Sequence, residues 1–87
     1  MRKGPRDYRS PSRIAPGTGE LLARLARRCR ELRIAADLSQ QEAGERADLS
    51  AKHVGAVEYA KANPTITTLA ALARAYGVTL SPLLDGV

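Results

Sequence analysis

The sequence contains no phenylalanine and no tryptophan, and it has one cysteine, one methionine and a single histidine. With no large rings to fill it, a core must be built from leucine, alanine, valine and isoleucine, which favours closely packed helices. Runs of β-branched residues with a period of two are also missing, so the pattern predicts an all-α fold. Cys29 has no second cysteine to pair with, and with no secretory signal the expected compartment is the cytoplasm. No apolar run approaches the length of a membrane span, so a membrane is not an expected partner. One histidine, itself within a predicted helix, leaves no Ser-His-Asp set, and no His/Cys/Asp cluster has metal-ligand spacing. Catalytic residues, metal ligands and cofactors are therefore not expected, and an enzyme is the least favoured reading.

Eighty-seven residues suit one domain, and a chain of this length buries only about 60% of the surface that it exposes when unfolded. Fourteen lysines and arginines face nine acids, and the surplus is unevenly placed. Arg2, Lys3, Arg6, Arg9 and Arg13 stand against Asp7 alone, so the first thirteen residues carry +4 of the net charge of +5. A charge placed in this way suggests a polyanion as partner, although a basic tail that only aids solubility has the same composition. Residues 1–17 also hold Pro5, Pro11 and Pro16 and little that could enter a core. They read as a flexible basic arm before a domain over residues 18–87.

From Thr18 the character changes, because Leu22, Leu25, Cys29, Leu32 and Ala36 recur at helical spacing and predict a helix from about Gly19 to Ala36. Arg24, Arg27, Arg28 and Arg30 lie mostly off that stripe and read as a solvated face. Ser39 with Glu42 three residues on forms a capping box for a second helix over 40–47. Ser50 opens a third over about 51–60. Thr65 after Asn63-Pro64 starts a fourth that runs through Tyr76, with Gly77 as its stop, and Ser81-Pro82 opens a short fifth. The expected fold is five short helices.

Only Asp48, Leu49 and Ser50 separate the second and third helices, which forces a sharp angle with Leu49 plugging the corner; such a pair is a helix-turn-helix. At "RELRIAADLSQQEAGERADLS", then "VGAVE", then "NPTITTLAALARAYGVTLSPLL", the sequence resembles the Xre family, the helix-turn-helix class of the phage lambda repressor and Cro proteins. The resemblance spans about residues 20–85. It is carried by order and spacing together, and it implies a partner of double-stranded DNA with the third helix as recognition helix in the major groove.

On a helical wheel Val54 and Val57 face inward with Glu58 beside them, while Ala51, Lys52, Gly55, Ala56 and Tyr59 share the outer face. Ala51, Lys52, Gly55 and Ala56 are the candidate base contacts. Small residues let the backbone approach the base edges, and Lys52 can donate to guanine O6 or N7; the alternative is a smooth face that packs on another protein. The resemblance places phosphate contacts at Gln40, Ser50 and Lys61. His53 and Tyr59 are further phosphate candidates, with packing at the helix edge as the alternative for His53 and a ring partly covering the core edge as the alternative for Tyr59. The resemblance also pairs Arg33 with Glu58, a structural tie between the first and third helices. Glycine is frequent in the family where this chain has Asp37, Asp48 and Ala60. Aspartate tolerates a left-handed backbone, whereas Ala60 has no such excuse. A larger residue is common where Gly44 stands, though a small one suits a close crossing of the second and third helices.

The function these readings imply is a sequence-specific transcriptional regulator, acting as a homodimer on an inverted repeat. Val78, Leu80, Leu83, Leu84 and Val87 are the candidate dimer surface, with closure of the monomer core as the alternative. A protein-interaction module, such as an antitoxin that masks a protein partner, has the same single-domain size.

Overall fold

A computed structural model describes residues 17–87, the Thr18 side chain excepted. The expected arm, with Arg2, Lys3, Arg6, Arg9 and Arg13, lies outside the described residues apart from Gly17. Among the described residues the structure is all-helical, with α1 (Thr18–Ala35), α2 (Gln40–Ala47), α3 (Ala51–Glu58), α4 (Ile66–Ala75) and α5 (Leu80–Leu84).

Three of these helices begin where a hydroxyl can satisfy the free N–H groups of a first turn. The Ser39 Oγ accepts from the Glu42 N–H at 3.0 Å, and the Ser39 N–H donates back to Glu42 Oε1 at 2.8 Å. These bonds favour the ionised form and hold the Glu42 carboxyl below its usual range. The Ser50 hydroxyl accepts from the His53 N–H at 3.0 Å, and the Thr65 hydroxyl from the Thr68 N–H at 3.1 Å. The fifth helix departs from expectation, since it starts at Leu80 behind Thr79, whose side chain makes no cap bond. Ser81-Pro82 therefore lies inside the first turn.

The helix ends show why α3 stops at Glu58, short of the expected Ala60. Asp37, Asp48 and Ala60 all have left-handed backbones, with φ of 62°, 60° and 58°. Each lets the next N–H turn back onto the helix: Leu38 to the Arg33 carbonyl at 3.3 Å, Leu49 to Gly44 at 2.8 Å and Lys61 to Ala56 at 2.8 Å. That bond ends a helix in the Schellman manner. Gly77, with φ 75°, does the same for α4 through Val78 and Ala73 at 2.9 Å.

The core gathers Leu25, Cys29, Leu38, Ala43, Ala47, Val54, Val57, Leu69, Leu72 and Leu83, with Tyr76 closing one side. Packing runs α1 on α3 and α5, α2 on α3 and α4, and α4 on α5. Two of the arginines expected on a solvated face of α1 are bound into this arrangement instead. Arg28 Nε donates to the Pro82 carbonyl at 2.8 Å, and Arg30 Nη1 to the Glu58 carbonyl at 3.0 Å. Both target the carbonyl end of a helix, where a cation is favoured. Arg24 and Arg27 remain exposed.

Ala60 is the one non-polar side chain among these left-handed positions, and its Cβ crowds the following carbonyl oxygen there. Ala60→Gly removes that clash while making the unfolded chain more mobile, so a net stabilisation of about 0.5–1 kcal/mol is expected. Urea denaturation of the two proteins measures it, and an unchanged or lower midpoint would show that the alanine methyl contributes more than its strain removes.

Candidate nucleic-acid interface

The corner between α2 and α3 is built from three residues with separate tasks. Asp48 supplies the left-handed turn, Leu49 is half-buried against the core, and Ser50 caps α3. Gly44 makes the closeness of the two helices possible. A Cβ on it would collide with the Leu49 carbonyl oxygen and press on the Ser50 carbonyl carbon and Ala51 nitrogen at 3.2 and 3.3 Å. The small residue is thus required by backbone crossing, as the sequence suggests.

α3 is mounted by its inner face. Val54, Gly55, Val57 and Glu58 are buried, Ala56 and His53 are half-buried, and Ala51, Lys52 and Tyr59 are exposed. The strongest attachment is ionic. Arg33 Nε donates to Glu58 Oε2 at 2.6 Å and Arg33 Nη2 to Glu58 Oε1 at 3.0 Å, a bidentate fork onto a carboxylate only 1% exposed. The remaining Arg33 donor, Nη1, reaches the Leu38 carbonyl just before α2 at 2.7 Å. The hydrogen bond to Glu58 raises the Arg33 pKa above its ordinary value, against the opposing effect of burial. Gln40 Nε2 adds a third bond to the same carboxylate, at 3.1 Å to Oε1. One buried acid therefore receives donors from α1 and α2 and holds α3 against both.

Two short helices, a capped three-residue corner and an outward face left free make a helix-turn-helix, and the model of the family described as "Helix-turn-helix" matches residues 30–83. The chain belongs to the helix-turn-helix family. Its type is that of the lambda repressor and Xre proteins, DNA-binding transcriptional regulators. The chain is also similar to the HTH-type transcriptional regulator DdrOP3 of Deinococcus deserti, 36% identical over 64 residues that make up 74% of this chain and 50% of that protein. It thus spans about half the length of that relative. No helix among the described residues is long and apolar enough to cross a membrane.

Within this helix-turn-helix the residues singled out from the sequence fall into distinct settings. Ala51 and Lys52 stand open on the first turn of α3, and Tyr59 projects at its end, 63% exposed. Tyr59 is thus no cover for the core edge. Lys61 is also exposed, and Ser50 keeps a hydroxyl proton free while its oxygen serves as the α3 cap. Gly55 differs from the expectation of an outward position, because it is buried with the Gln40 carboxamide laid over it. A Cβ there would meet Gln40 Oε1 at 3.4 Å. The group lying against this glycine is a side chain of α2 of the same chain. Gln40, expected to extend toward a phosphate, is half-buried with its amide turned inward to Glu58.

The residues of the candidate dimer surface differ in exposure. Leu83 is 0% exposed, while Val78, Leu80 and Val87 are packed on their own core, leaving Leu84 at 37% exposure. The short α5 turns its apolar side inward because α1 and α4 both need covering at that end.

Two further groups adjoin the ion pair and were not distinguished in the sequence. Cys29 is fully buried, and burial together with the charge of Glu58 pushes its thiol up to about 12, so it is protonated at neutral pH and unsuited to nucleophilic chemistry. Burial also raises the Tyr76 phenol, whose hydroxyl finds no hydrogen-bond partner among the described residues. Only the place of Cys29 in an apolar stripe and of Tyr76 at a helix end was legible, since nothing local signals a neighbouring carboxylate.

Removing one member of a buried pair strands the other, whereas replacing both with apolar groups does not. Glu58→Ala is expected to lower stability by about 3–5 kcal/mol, and the double substitution Arg33→Met with Glu58→Leu to recover much of that loss. Chemical denaturation of the three proteins tests it, and a loss below about 1 kcal/mol for Glu58→Ala would contradict the structural role assigned to the pair.

Proposed function

We propose that the protein is a sequence-specific DNA-binding transcriptional regulator, that α3 enters the major groove, and that two copies act together on an inverted repeat. The observation that carries this reading is the contrast between the two sides of α3. Its inner side is held by a buried ion pair and the core, while Ala51 and Lys52 stand free of any partner among the described residues. A rigidly held helix with a low, open profile suits the groove, where backbone and short side chains come near the base edges. Lys52 supplies the long donor for guanine O6 or N7, with Ala56 available to a thymine methyl. Ser50, Tyr59 and Lys61 flank this face and suit phosphates, which position such a module without reading sequence. One module of this size reads few base pairs, and symmetric pairing doubles the contacts. The apolar exposure left at Leu84, and at Leu21 with 42% exposed, provides surface for the second copy.

The basic segment before α1 extends the same reading. Its +4 charge suits the DNA backbone or the minor groove beside the site. Deletion of residues 1–17 is expected to leave the helical domain folded, to weaken binding, and to flatten the salt dependence by about 0.9 log unit for each phosphate that the segment neutralises. An unchanged salt slope would make the segment a solubilising tail.

Lys52 provides the decisive test, since it is exposed and its replacement leaves the core untouched. Against a site selected by the protein from random DNA, Lys52→Ala is expected to lose about 1–3 kcal/mol of affinity and to relax the preference at one base pair per half-site. Lys52→Glu is expected to abolish site-specific binding with circular dichroism unchanged. Undiminished specific binding by Lys52→Glu would remove α3 from the groove, and an equal loss on every sequence would make Lys52 a phosphate contact.

A further inference from the structure

Gln40 opens α2, and in most settings the first side chain of such a helix extends into solvent. Here it crosses to α3. Its Nε2 donates to Glu58 Oε1 at 3.1 Å, on the same oxygen that accepts Arg33 Nη2 at 3.0 Å. The carboxamide covers Gly55, with Oε1, Cδ and Nε2 at 3.4, 3.8 and 3.8 Å from the position of a Cβ there. An ionised carboxylate only accepts, so Glu58 fixes which end of the amide faces inward. The Gln40 oxygen is consequently the end set against Gly55. A single side chain thus joins the amino end of α2 to the middle of α3 and to the buried pair at its end.

We infer that Gln40 is a positioning residue for DNA reading, a latch that holds the open face of α3 at a fixed angle to α2. This rests on the proposed role of α3 in the groove. Sequence discrimination requires side chains to meet base edges within hydrogen-bonding distance, whereas attraction to phosphates tolerates looser geometry. A small rotation of α3 about its own axis would swing Ala51 and Lys52 away from their base edges while leaving the charges of the module in place. The Arg33–Glu58 fork anchors the far end of α3, and the Gln40 amide joins the same carboxylate from α2 while lying over Gly55 in the middle of the helix. Gly55 lies directly under this amide, at the distance of ordinary van der Waals contact from a Cβ there.

The inference separates from both a phosphate-binding and a purely packing role through the ratio of specific to non-specific affinity. The probes are a duplex site selected from random sequence by the wild-type protein and a scrambled duplex of the same composition. Gln40→Met keeps the side-chain length and removes the donor. The latch predicts that affinity for the selected site falls about tenfold or more, the scale of one mismatched base pair, with affinity for the scrambled duplex and the salt slope nearly unchanged. Equal losses on the two duplexes would make Gln40 a phosphate ligand and overturn the inference. So would a lower melting temperature with the affinity ratio intact, which is the result of packing alone. If the variant does not fold, the wild-type Gln40 side-chain amide resonances carry the test. They are expected to hold their positions as scrambled duplex is added, and a progressive shift would place a phosphate on the amide. Failure of the wild-type protein to select any site would instead refute the DNA-reading proposal itself.

Discussion

Glu58 is the constraint on which the arrangement of this domain depends. A carboxylate withdrawn from water requires donors on its lone pairs, and each donor comes from a different direction: the Arg33 fork from α1 and the Gln40 amide from α2. Its backbone carbonyl takes a further donor from Arg30. The desolvation cost of such a group makes loose alternatives unfavourable, because a helix that drifts leaves a buried charge short of partners. Such a charge gives orientation more than net stability. In a core of small aliphatic side chains, which could pack in several near-equivalent registers, that directional demand selects one.

The corner between α2 and α3 is governed by a second constraint, the closeness of two backbones. Gly44 allows α2 to touch the Leu49 carbonyl, Gly55 allows the Gln40 side chain to lie flat on α3, and Asp48 takes the left-handed conformation that reverses the chain. These positions act together. With the helices this near, the turn has no space for a longer path, and Leu49 enters the core as the chain passes. Gly55 is covered from inside the molecule, and the free face of the helix begins with Ala51 and Lys52.

Charge is divided between structural and available arginines. Arg28, Arg30 and Arg33 are committed to carbonyl ends and to the buried acid, while Arg24, Arg27, Arg46 and Arg74 stay on the surface with Lys52 and Lys61. The positive surplus of the sequence is therefore not evenly open to a polyanion. Over residues 18–87 the cations outnumber the acids by only one, nine to eight, so most of the surplus lies in the sequence before α1.

The number of helices, their order and most of their boundaries were legible from residues acting within one turn of chain. Ser39 with Glu42, Ser50 and Thr65 each announce a helix start through a bond three residues away. That Asp37, Asp48 and Ala60 stand where glycine is frequent came from the resemblance to relatives, and all three carry the left-handed backbone, with the earlier end of α3 as its consequence. The pairing of Arg33 with Glu58 came from resemblance to relatives and not from any local pattern. The inward turn of Gln40, the burial of Gly55 and Leu83, and the use of Arg28 and Arg30 as tertiary donors were decided only by packing. The hydrogen bonds of Gln40, Arg28 and Arg30 join residues between 18 and 54 apart in the chain, and which side chain reaches which partner depends on helix rotation and crossing. Caps and apolar periodicity determine where a helix begins and which side faces inward; the neighbours that it meets there are set by the other helices.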